Sequence, residues 1–409
     1  MKTTLTAIAL ALASTALVAP APVAAQEQGK GLEISKEARE SLVALQTAAQ
    51  EQNWAAVPGL AQAAKAKAKK PDDYYFIGNF MVQAGQTTDN LDLTVQGIDT
   101  MATSGYASGT DYAEQYLSAG KLYYNDNQYA NARTWFQKAY DLDSTNGEPL
   151  VLIGETYNSE ENFAEALGFM KRGIELEKAN GQPVDENWYK RAISIGYKNQ
   201  LVGVAPVSLM WINDNPSPET WRNGLRVLEA VMTDSGTLKD TELLDIWRLM
   251  RATGAMESER DYGFYADELI RGGYPGEALA VLNEGIEAGV VDANKVTFKE
   301  LVAATKKAAA GDKAEVTAGI PSARNAAEAR AAVATANALY GYDDFAGAAD
   351  LYRAALGKTG VDANLVNLRL GMSLARAGDH AGAVAALDQV SGKFETVANY
   401  WKAWSALQS

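Results

Sequence analysis

The sequence predicts an all-α protein in which helical hairpins stack one upon another. The first observation is an internal repeat with a period of 34 residues within positions 111–180. The second is that Gly, Pro, Asn and Asp punctuate the chain between segments of helical hydrophobic spacing. One hairpin cannot bury its own apolar face, so hairpins of this kind must stack to form a core. The chain has no cysteine, so this buried apolar surface must supply the stability without disulfides.

The repeat is defined by six positions that recur at one offset. A small residue at a helix crossing lets two backbones approach closely, and aromatic side chains fill the space between neighbouring helices. The matched pairs are Gly120 and Gly154, Tyr123 and Tyr157, Tyr129 and Phe163, Ala132 and Ala166, Phe136 and Met170, and Ala139 and Gly173.

This pattern resembles the tetratricopeptide repeat, in which a bulky residue, a small residue and Tyr lie on helix A. Helix B of that motif carries Ala, an aromatic residue and Ala. The resemblance implies a right-handed superhelical solenoid whose concave groove is lined by helix A residues. Weaker copies follow at Trp188, Trp221 and Tyr262, and two more in the C-terminal part, where Ala336 and Gly371 align at an offset of 35. The resemblance therefore covers most of the chain.

The first 25 residues have the pattern of a Sec signal peptide. Lys2 precedes an apolar run at residues 5–18, and Val23 and Ala25 occupy the −3 and −1 positions of a cleavage site. A membrane anchor is the alternative, but it needs a longer apolar run. Without cysteine, a lipoprotein anchor is excluded. We therefore expect cleavage after Ala25 and a soluble, periplasmic mature protein.

Four segments are predicted. Residues 1–25 form the signal peptide, residues 26–292 an N-terminal array, residues 293–322 an Ala/Lys-rich helical connector, and residues 323–409 a C-terminal array. Residues 295–320 are interpreted as a helix plus a loop, because Gly319 and Pro321 punctuate their end. The last helix, with Tyr400, Trp401 and Trp404, is expected to cap the final repeat.

The charge and the residue types present exclude several functions. A formal charge of −14 disfavours binding to nucleic acid or to an anionic membrane surface. With no Cys and one His, neither thiolate catalysis nor a multi-histidine metal site is possible. His380 matches the turn position of Tyr129 and Phe345, which favours a packing role. No phosphate-binding glycine loop is present, although two facing carboxylates in a cleft are left open. We expect no enzyme activity, no cofactor and no metal.

The resemblance also indicates which helix A residues would line the groove. Repeats that grip the C-terminal tails of chaperones need Lys and Asn at set helix A positions. Here Leu117 and Val151 occupy such positions, which disfavours that ligand. Further groove positions in the C-terminal array are Arg330, Val333, Asn337, Tyr340, Leu365, Leu368, Met372 and Arg376. The residues predicted to contact a partner are Glu114, Lys121, Tyr124, Asn125, Glu155, Asn158, Tyr189 and Tyr197.

Two functions of different class remain. The favoured one is a non-catalytic periplasmic scaffold or adaptor that binds a protein or peptide partner in the cell envelope through this groove. The alternative is a module that binds glycan or peptidoglycan, with tyrosine rings stacked on sugar faces. An adaptor should present an apolar patch beside the groove. A glycan binder should show two or more exposed aromatic rings in a polar trough.

Overall fold

The prediction of an all-α protein is confirmed. A computed structural model describes residues 33–105 and 109–408, and within these ranges the chain is helical, with no β-strand and one isolated bridge between Glu328 and Thr359. The predicted signal peptide, residues 1–25, lies outside the described residues. No helix among the described residues has the length and apolarity required to cross a membrane. Backbone contacts divide the chain into two compact units, Met1–Val184 (unit 1) and Asp185–Ser409 (unit 2).

Each helix of unit 1 packs against the next one in the chain. Their buried side chains form several separate apolar clusters along the unit, rather than one common core. This is the arrangement expected when each hairpin contacts only its neighbours. The helices are α1 (Lys36–Gln50), α2 (Val57–Lys67), α3 (Pro71–Thr87), α4 (Leu91–Ala102), α5 (Gly109–Asn125), α6 (Tyr129–Leu142), α7 (Glu148–Ser159) and α8 (Phe163–Ala179).

The turns within the hairpins share one geometry. Asn127 and Glu161 both adopt a left-handed backbone conformation with φ of 60°. The amide of the next residue then donates to a carbonyl five positions earlier, from Gln128 to Tyr123 and from Asn162 to Tyr157, each at 2.9 Å. This closure satisfies carbonyl groups that the end of a helix leaves without a partner. Asp343 repeats the same conformation, also with φ of 60°, in unit 2.

Unit 2 has one continuous apolar core that extends from Ala205 to Trp404. Its helices are α9 (Glu186–Lys198), α10 (Val204–Asp214), α11 (Pro218–Asp234), α12 (Leu244–Ala252), α13 (Glu259–Arg271), α14 (Pro275–Glu287), α15 (Val296–Ala309), α16 (Asp312–Asn325), α17 (Ala329–Gly341), α18 (Phe345–Leu356), α19 (Ala363–Arg376), α20 (His380–Leu387) and α21 (Glu395–Gln408).

The C-terminal helix α21 packs against α19 and α20, as expected of a helix that covers the last repeat. It also contacts α10 and α12, which lie far upstream in the chain. Tyr400 and Trp401 are fully buried, and Trp404 is nearly so. These aromatic residues therefore belong to the core and are not an exposed ligand site.

The expectation of a loop near residue 320 is wrong. Gly319 and Pro321 lie inside helix α16, which continues to Asn325. Pro321 removes one backbone donor, but Val316 and Ile320 pack against the core and Ala323 is buried. This apolar contact offsets the lost hydrogen bond near the end of the helix. The division of the chain at residues 293–322 into two arrays and a connector stays a prediction.

Candidate functional site

The predicted groove begins with two hairpins that are held close by glycine. A Cβ atom on Gly120 would lie 2.4 Å from Cδ1 of Phe136, and one on Gly154 would lie 2.8 Å from the carbonyl oxygen of Ala166. Only a residue without a side chain fits at these crossings. The two glycines therefore fix α5 against α6 and α7 against α8, and this sets the directions of the helix A side chains.

Helices α5 and α7 present their predicted groove residues side by side. Nζ of Lys121 lies 2.7 Å from Oε1 of Glu148, in an exposed ion pair between the two helices. The hydroxyl groups of Tyr124 and Ser159 lie 3.1 Å apart. Two contacts between side chains 27 and 35 residues apart establish that these helix A faces are neighbours. We call this surface the α5–α7 face.

Most predicted contact residues of unit 1 are accessible on the α5–α7 face. Glu114, Lys121 and Asn125 are exposed. The other three, Tyr124, Glu155 and Asn158, are half-buried. Leu117 and Val151 are buried beneath them, with exposed fractions of 8% and 5%. The face therefore combines a packed apolar floor with an accessible polar surface, as protein interfaces do at their rim.

One face residue, Tyr124, also contacts an aromatic neighbour. The ring of Tyr124 lies 5.6 Å from that of Tyr129, in a tilted arrangement. Tyr124 thus joins the end of α5 to the start of α6, and its hydroxyl reaches α7 through Ser159. Its position is determined by packing on two sides, which leaves only part of the ring for a ligand.

The two predicted contact residues of unit 2 differ in exposure. Tyr197 is half-exposed, with 50% of its surface accessible, at the end of α9. Tyr189 has no exposed surface, and its hydroxyl donates to Oδ2 of Asp214. Burial raises the pKa of the Tyr189 hydroxyl well above its usual range, and the bond to Asp214 adds to the shift. Tyr189 therefore serves packing in this structure and does not reach a surface.

The predicted groove positions of the C-terminal array differ in exposure: Arg330 is exposed, and Val333, Leu365 and Arg376 are half-buried. Asn337, Tyr340, Leu368 and Met372 are all buried. Helix α17 packs against α14, and α19 packs against α21. The hydroxyl of Tyr400 in α21 donates to the carbonyl oxygen of Ala205 at 2.9 Å. Nothing at these four positions is available to an external partner.

A buried charged cluster fills part of this interior. Arg248 donates to Glu277 and to Asp245, and Arg369 donates to Asp245 at 3.0 Å. Arg369 also bonds Oδ1 of Asn337 at 3.1 Å. The two arginines and two carboxylates balance in formal charge. Buried charges persist only when they are paired and hydrogen-bonded, and each of these four is.

The sequence analysis did not identify this cluster. The available signal was an arginine within an apolar helical run, Leu244–Ala252, where Arg248 lies among Ile246, Leu249 and Met250. Arg369 lies in a comparable run in α19. A charged residue at a core position requires a partner, but the sequence does not indicate which carboxylate provides it.

Two further observations concern metal ligation and the single histidine. Among residues 33–105 and 109–408, no three His, Cys, Asp or Glu side chains converge as a metal site would require. The predicted packing residue His380 is half-buried, and its Nδ1 lies 3.0 Å from Oγ of Ser405 in α21. This contact joins α20 to the C-terminal helix.

Comparison with known proteins identifies the repeat. The family model described as tetratricopeptide repeat matches residues 113–146, which cover most of α5, the turn after it and all of α6. The comparison with curated proteins gives no match. Tetratricopeptide repeats generally mediate protein–protein interaction, bind protein or peptide partners, and are typically non-catalytic.

Two solved structures illustrate the likeness in fold. The C-terminal part of a TPR repeat-containing protein from Cytophaga hutchinsonii is 18% identical, with 66% of this chain and 98% of that chain covered and a TM-score of 0.31. The TPR2AB domain of yeast Sti1, solved in a complex with pHSP90, is 14% identical, with 72% and 99% covered and a TM-score of 0.25. At these values neither likeness bears on what this chain binds.

The family match falls on the repeat that the sequence periodicity defines, and the structure forms a helical hairpin there. Residues 113–146 of this chain therefore form a tetratricopeptide repeat.

Proposed function

We propose that this protein is a non-catalytic scaffold or adaptor that binds a protein or peptide partner on the α5–α7 face. The observation that carries this proposal is the side-by-side arrangement of α5 and α7, made by the Lys121–Glu148 and Tyr124–Ser159 contacts. An extended peptide that crosses consecutive helix A residues would contact both helices at once. It would meet hydrogen-bonding groups above an apolar floor.

The burial pattern supports unit 1 as the location of this contact. In unit 2, Tyr189 and four concave positions of the C-terminal array are buried. In unit 1, the residues that match Asn337, Met372 and Tyr340 in the repeat keep accessible polar groups: Lys121 is exposed, and Glu155 and Tyr124 are half-buried. A partner can bind without displacing part of the chain only where such groups are accessible.

The glycan alternative lacks a comparable observation. It requires two or more exposed aromatic rings in one polar trough. On the α5–α7 face the aromatic contact residue is Tyr124, which is half-buried against Tyr129. A single, partly covered ring offers little stacking surface for a sugar.

We further propose that the protein acts in the periplasm, because residues 1–25 have the pattern of a Sec signal peptide. Fractionation of cells that express the full chain tests this directly. The proposal expects the protein in the periplasmic fraction with Gln26 as its first residue. Retention of residues 1–25 in the purified protein, or recovery in the cytoplasmic fraction, would contradict it.

Affinity capture from a cell-envelope extract, followed by quantitative binding of the purified partner, tests the proposed face. The test variant carries Lys121→Ala, Asn125→Ala and Asn158→Ala on α5 and α7. The control carries Asn131→Ala, Gln137→Ala and Lys171→Ala on the helix B segments α6 and α8, so that each variant loses one positive charge. We expect the test variant to bind about tenfold more weakly, since a few central residues carry most of the binding energy of an interface. Equal affinities of the two variants, or capture of no specific protein by the native chain, would reject the proposal.

A further inference from the structure

A cleft in unit 2 lies apart from the α5–α7 face and has a different chemistry. It has a volume of about 460 Å³ and lies where α9, α10 and α11 meet. Pockets for small ligands have volumes of about 300–1,000 Å³. The residues that determine its chemistry are Glu186, Lys190, Trp211, Asn215, Glu219 and Asn223.

The cleft is built from equivalent positions of two consecutive repeats. Glu186 and Glu219 are separated by 33 residues, as are Lys190 and Asn223. The same interval separates Trp188 from Trp221, which open these two repeats. The starts of α9 and α11 therefore bring two equivalent glutamates to one cleft, while the second repeat has Asn223 where the first has Lys190.

The two glutamates differ in their bonding. Glu186 accepts from Nε1 of Trp211 at 3.1 Å and pairs with Nζ of Lys190 at 2.9 Å. Hydrogen bonds from Lys190 and Trp211 hold the pKa of Glu186 below its usual range. Glu219 is exposed and has no ion pair or hydrogen bond from another described residue. The cleft thus contains one carboxylate that is bonded to neighbouring side chains and one that is open to solvent.

Several side chains of the cleft offer hydrogen-bond acceptors to a ligand. The ammonium of Lys190, its one cationic group, is engaged by Glu186. Nδ2 of Asn215 donates to the carbonyl oxygen of Trp211 at 3.4 Å, which leaves its Oδ1 as an acceptor. The amide oxygen of Asn223 and both carboxylate oxygens of Glu219 add further acceptors. A ligand with several N–H donors and a positive charge would satisfy this set.

The ends of the helices around the cleft also contribute to its electrostatic potential. The N-terminal ends of α9 and α11 each contribute about half a positive charge, which opposes a cation. The carboxylate of Asp185 caps α9, and Asp214 lies at the C-terminal end of α10, where the dipole is negative. Together with Glu186 and Glu219 these groups outweigh Lys190 and the helix starts. The chain as a whole carries −14, which attracts cations at longer range.

We propose that this cleft binds the side chain of an arginine in a peptide or protein partner, with its guanidinium group hydrogen-bonded to Glu219 and to the amide oxygens of Asn215 and Asn223. Guanidinium presents five donors in a planar fork that pairs with both oxygens of a carboxylate. An ammonium group offers only three donors around a point charge. The inference does not depend on the α5–α7 face, because every group that it uses lies in unit 2.

Isothermal titration calorimetry of the full mature chain with acetyl-Gly-Arg-Gly-amide at low ionic strength tests the proposal. The control peptide contains citrulline, which has the shape of arginine without its charge. We expect binding of the arginine peptide and at least about tenfold weaker binding of the citrulline peptide, as for loss of a charged hydrogen bond. Equal binding of both peptides, no binding of the arginine peptide, or binding of a neutral oligosaccharide in its place would overturn the proposal.

Two substitutions locate the contact. Glu219→Gln should weaken binding of the arginine peptide about tenfold. Glu287→Gln, an equal change of charge at an exposed position of α14, should leave it unchanged. Lys190→Met should strengthen binding, because it removes a competing cation and frees Glu186. A damaged fold does not gain affinity, so this second variant separates a binding effect from misfolding. An unchanged affinity in both cleft variants would reject the site.

Discussion

The guanidinium group of Arg248 donates two parallel hydrogen bonds to the carboxylate of Glu277. Nε lies 3.0 Å from Oε1 and Nη2 lies 2.7 Å from Oε2, and both side chains are buried. Removing one partner would leave a buried charge without compensation. We therefore expect Arg248→Met to lower the free energy of unfolding by about 3–5 kcal/mol, measured by urea denaturation. The double variant Arg248→Met, Glu277→Leu should lose less free energy of unfolding than Arg248→Met alone. An Arg248→Met variant as stable as the native protein would contradict this expectation.

The same pair predicts a dependence of stability on pH. Burial raises the pKa of Glu277, but the charge and hydrogen bonds of Arg248 outweigh burial and bring it below the ordinary value of 4.5. A carboxylate with a lowered pKa stabilises the fold above its unfolded pKa, and this stabilisation is lost as pH falls through the folded pKa. Glu277→Gln should therefore lower the free energy of unfolding most at neutral pH. Below pH 4.5 this loss of stability should become smaller.

Urea denaturation of the native protein and Glu277→Gln between pH 7 and pH 3 measures this difference. Glu287→Gln on the exposed surface of α14 is the control, and its difference from the native protein should stay small throughout. If the cost of Glu277→Gln is constant over the whole range, Glu277 does not titrate as inferred.

The helix crossings predict opposite effects for two alanine substitutions in one hairpin. A Cβ on Gly154 would lie 2.7 Å from Cγ of Met170, so Gly154→Ala should destabilise by about 1–3 kcal/mol through overpacking. A Cβ on Gly168 in α8 would meet nothing within 4 Å. Gly168→Ala should therefore stabilise by up to about 1 kcal/mol, because alanine favours helix. Thermal unfolding compares the two, and equal effects of both substitutions would show that the crossing is not tight.

The C-terminal helix should be required for the integrity of unit 2. Trp401 is fully buried, and its Nε1 donates to the carbonyl oxygen of Asp245 at 3.0 Å. Trp401→Ala should cost about 3–5 kcal/mol. Hydrogen exchange should become faster in α10 and α12, which α21 contacts. Leu407→Ala, at a residue 44% exposed, should change neither quantity appreciably. Unchanged exchange in α10 and α12 would contradict the packing role.

Local sequence patterns predicted the hairpins well. Gly120 and Gly154 recur at the same place, and both lie at close helix crossings. The turns after α5 and α7 are also equivalent, since Asn127 and Glu161 share one conformation. A repeat is specified by contacts between residues close in sequence. Its pattern can therefore be recognised in a single amino-acid sequence. The error at Pro321 has a local origin too, because a proline near a helix end is tolerated when its neighbours are packed.

The candidate site was predictable only in part. The sequence placed Lys121 and Tyr124 on helix A, and the structure gives them neighbours on α7. The burial of Tyr189 depends on how α9 packs within unit 2, which the repeat pattern does not specify. The resemblance assigns a residue to a position in the motif, whereas its exposure depends on what covers that position.

The sequence alone determined that this protein is helical, repetitive and without cysteine, and it indicated an exported chain. Only the tertiary structure decided that Asn337, Tyr340, Leu368 and Met372 are buried inside unit 2. Arg369 bonds Asp245 across 124 residues, and Tyr400 bonds Ala205 across 195. A 34-residue period encodes contacts between adjacent hairpins, whereas these contacts join helices several repeats apart. Their free energy comes from burial and charge pairing, which exist only when these distant helices of unit 2 are packed together.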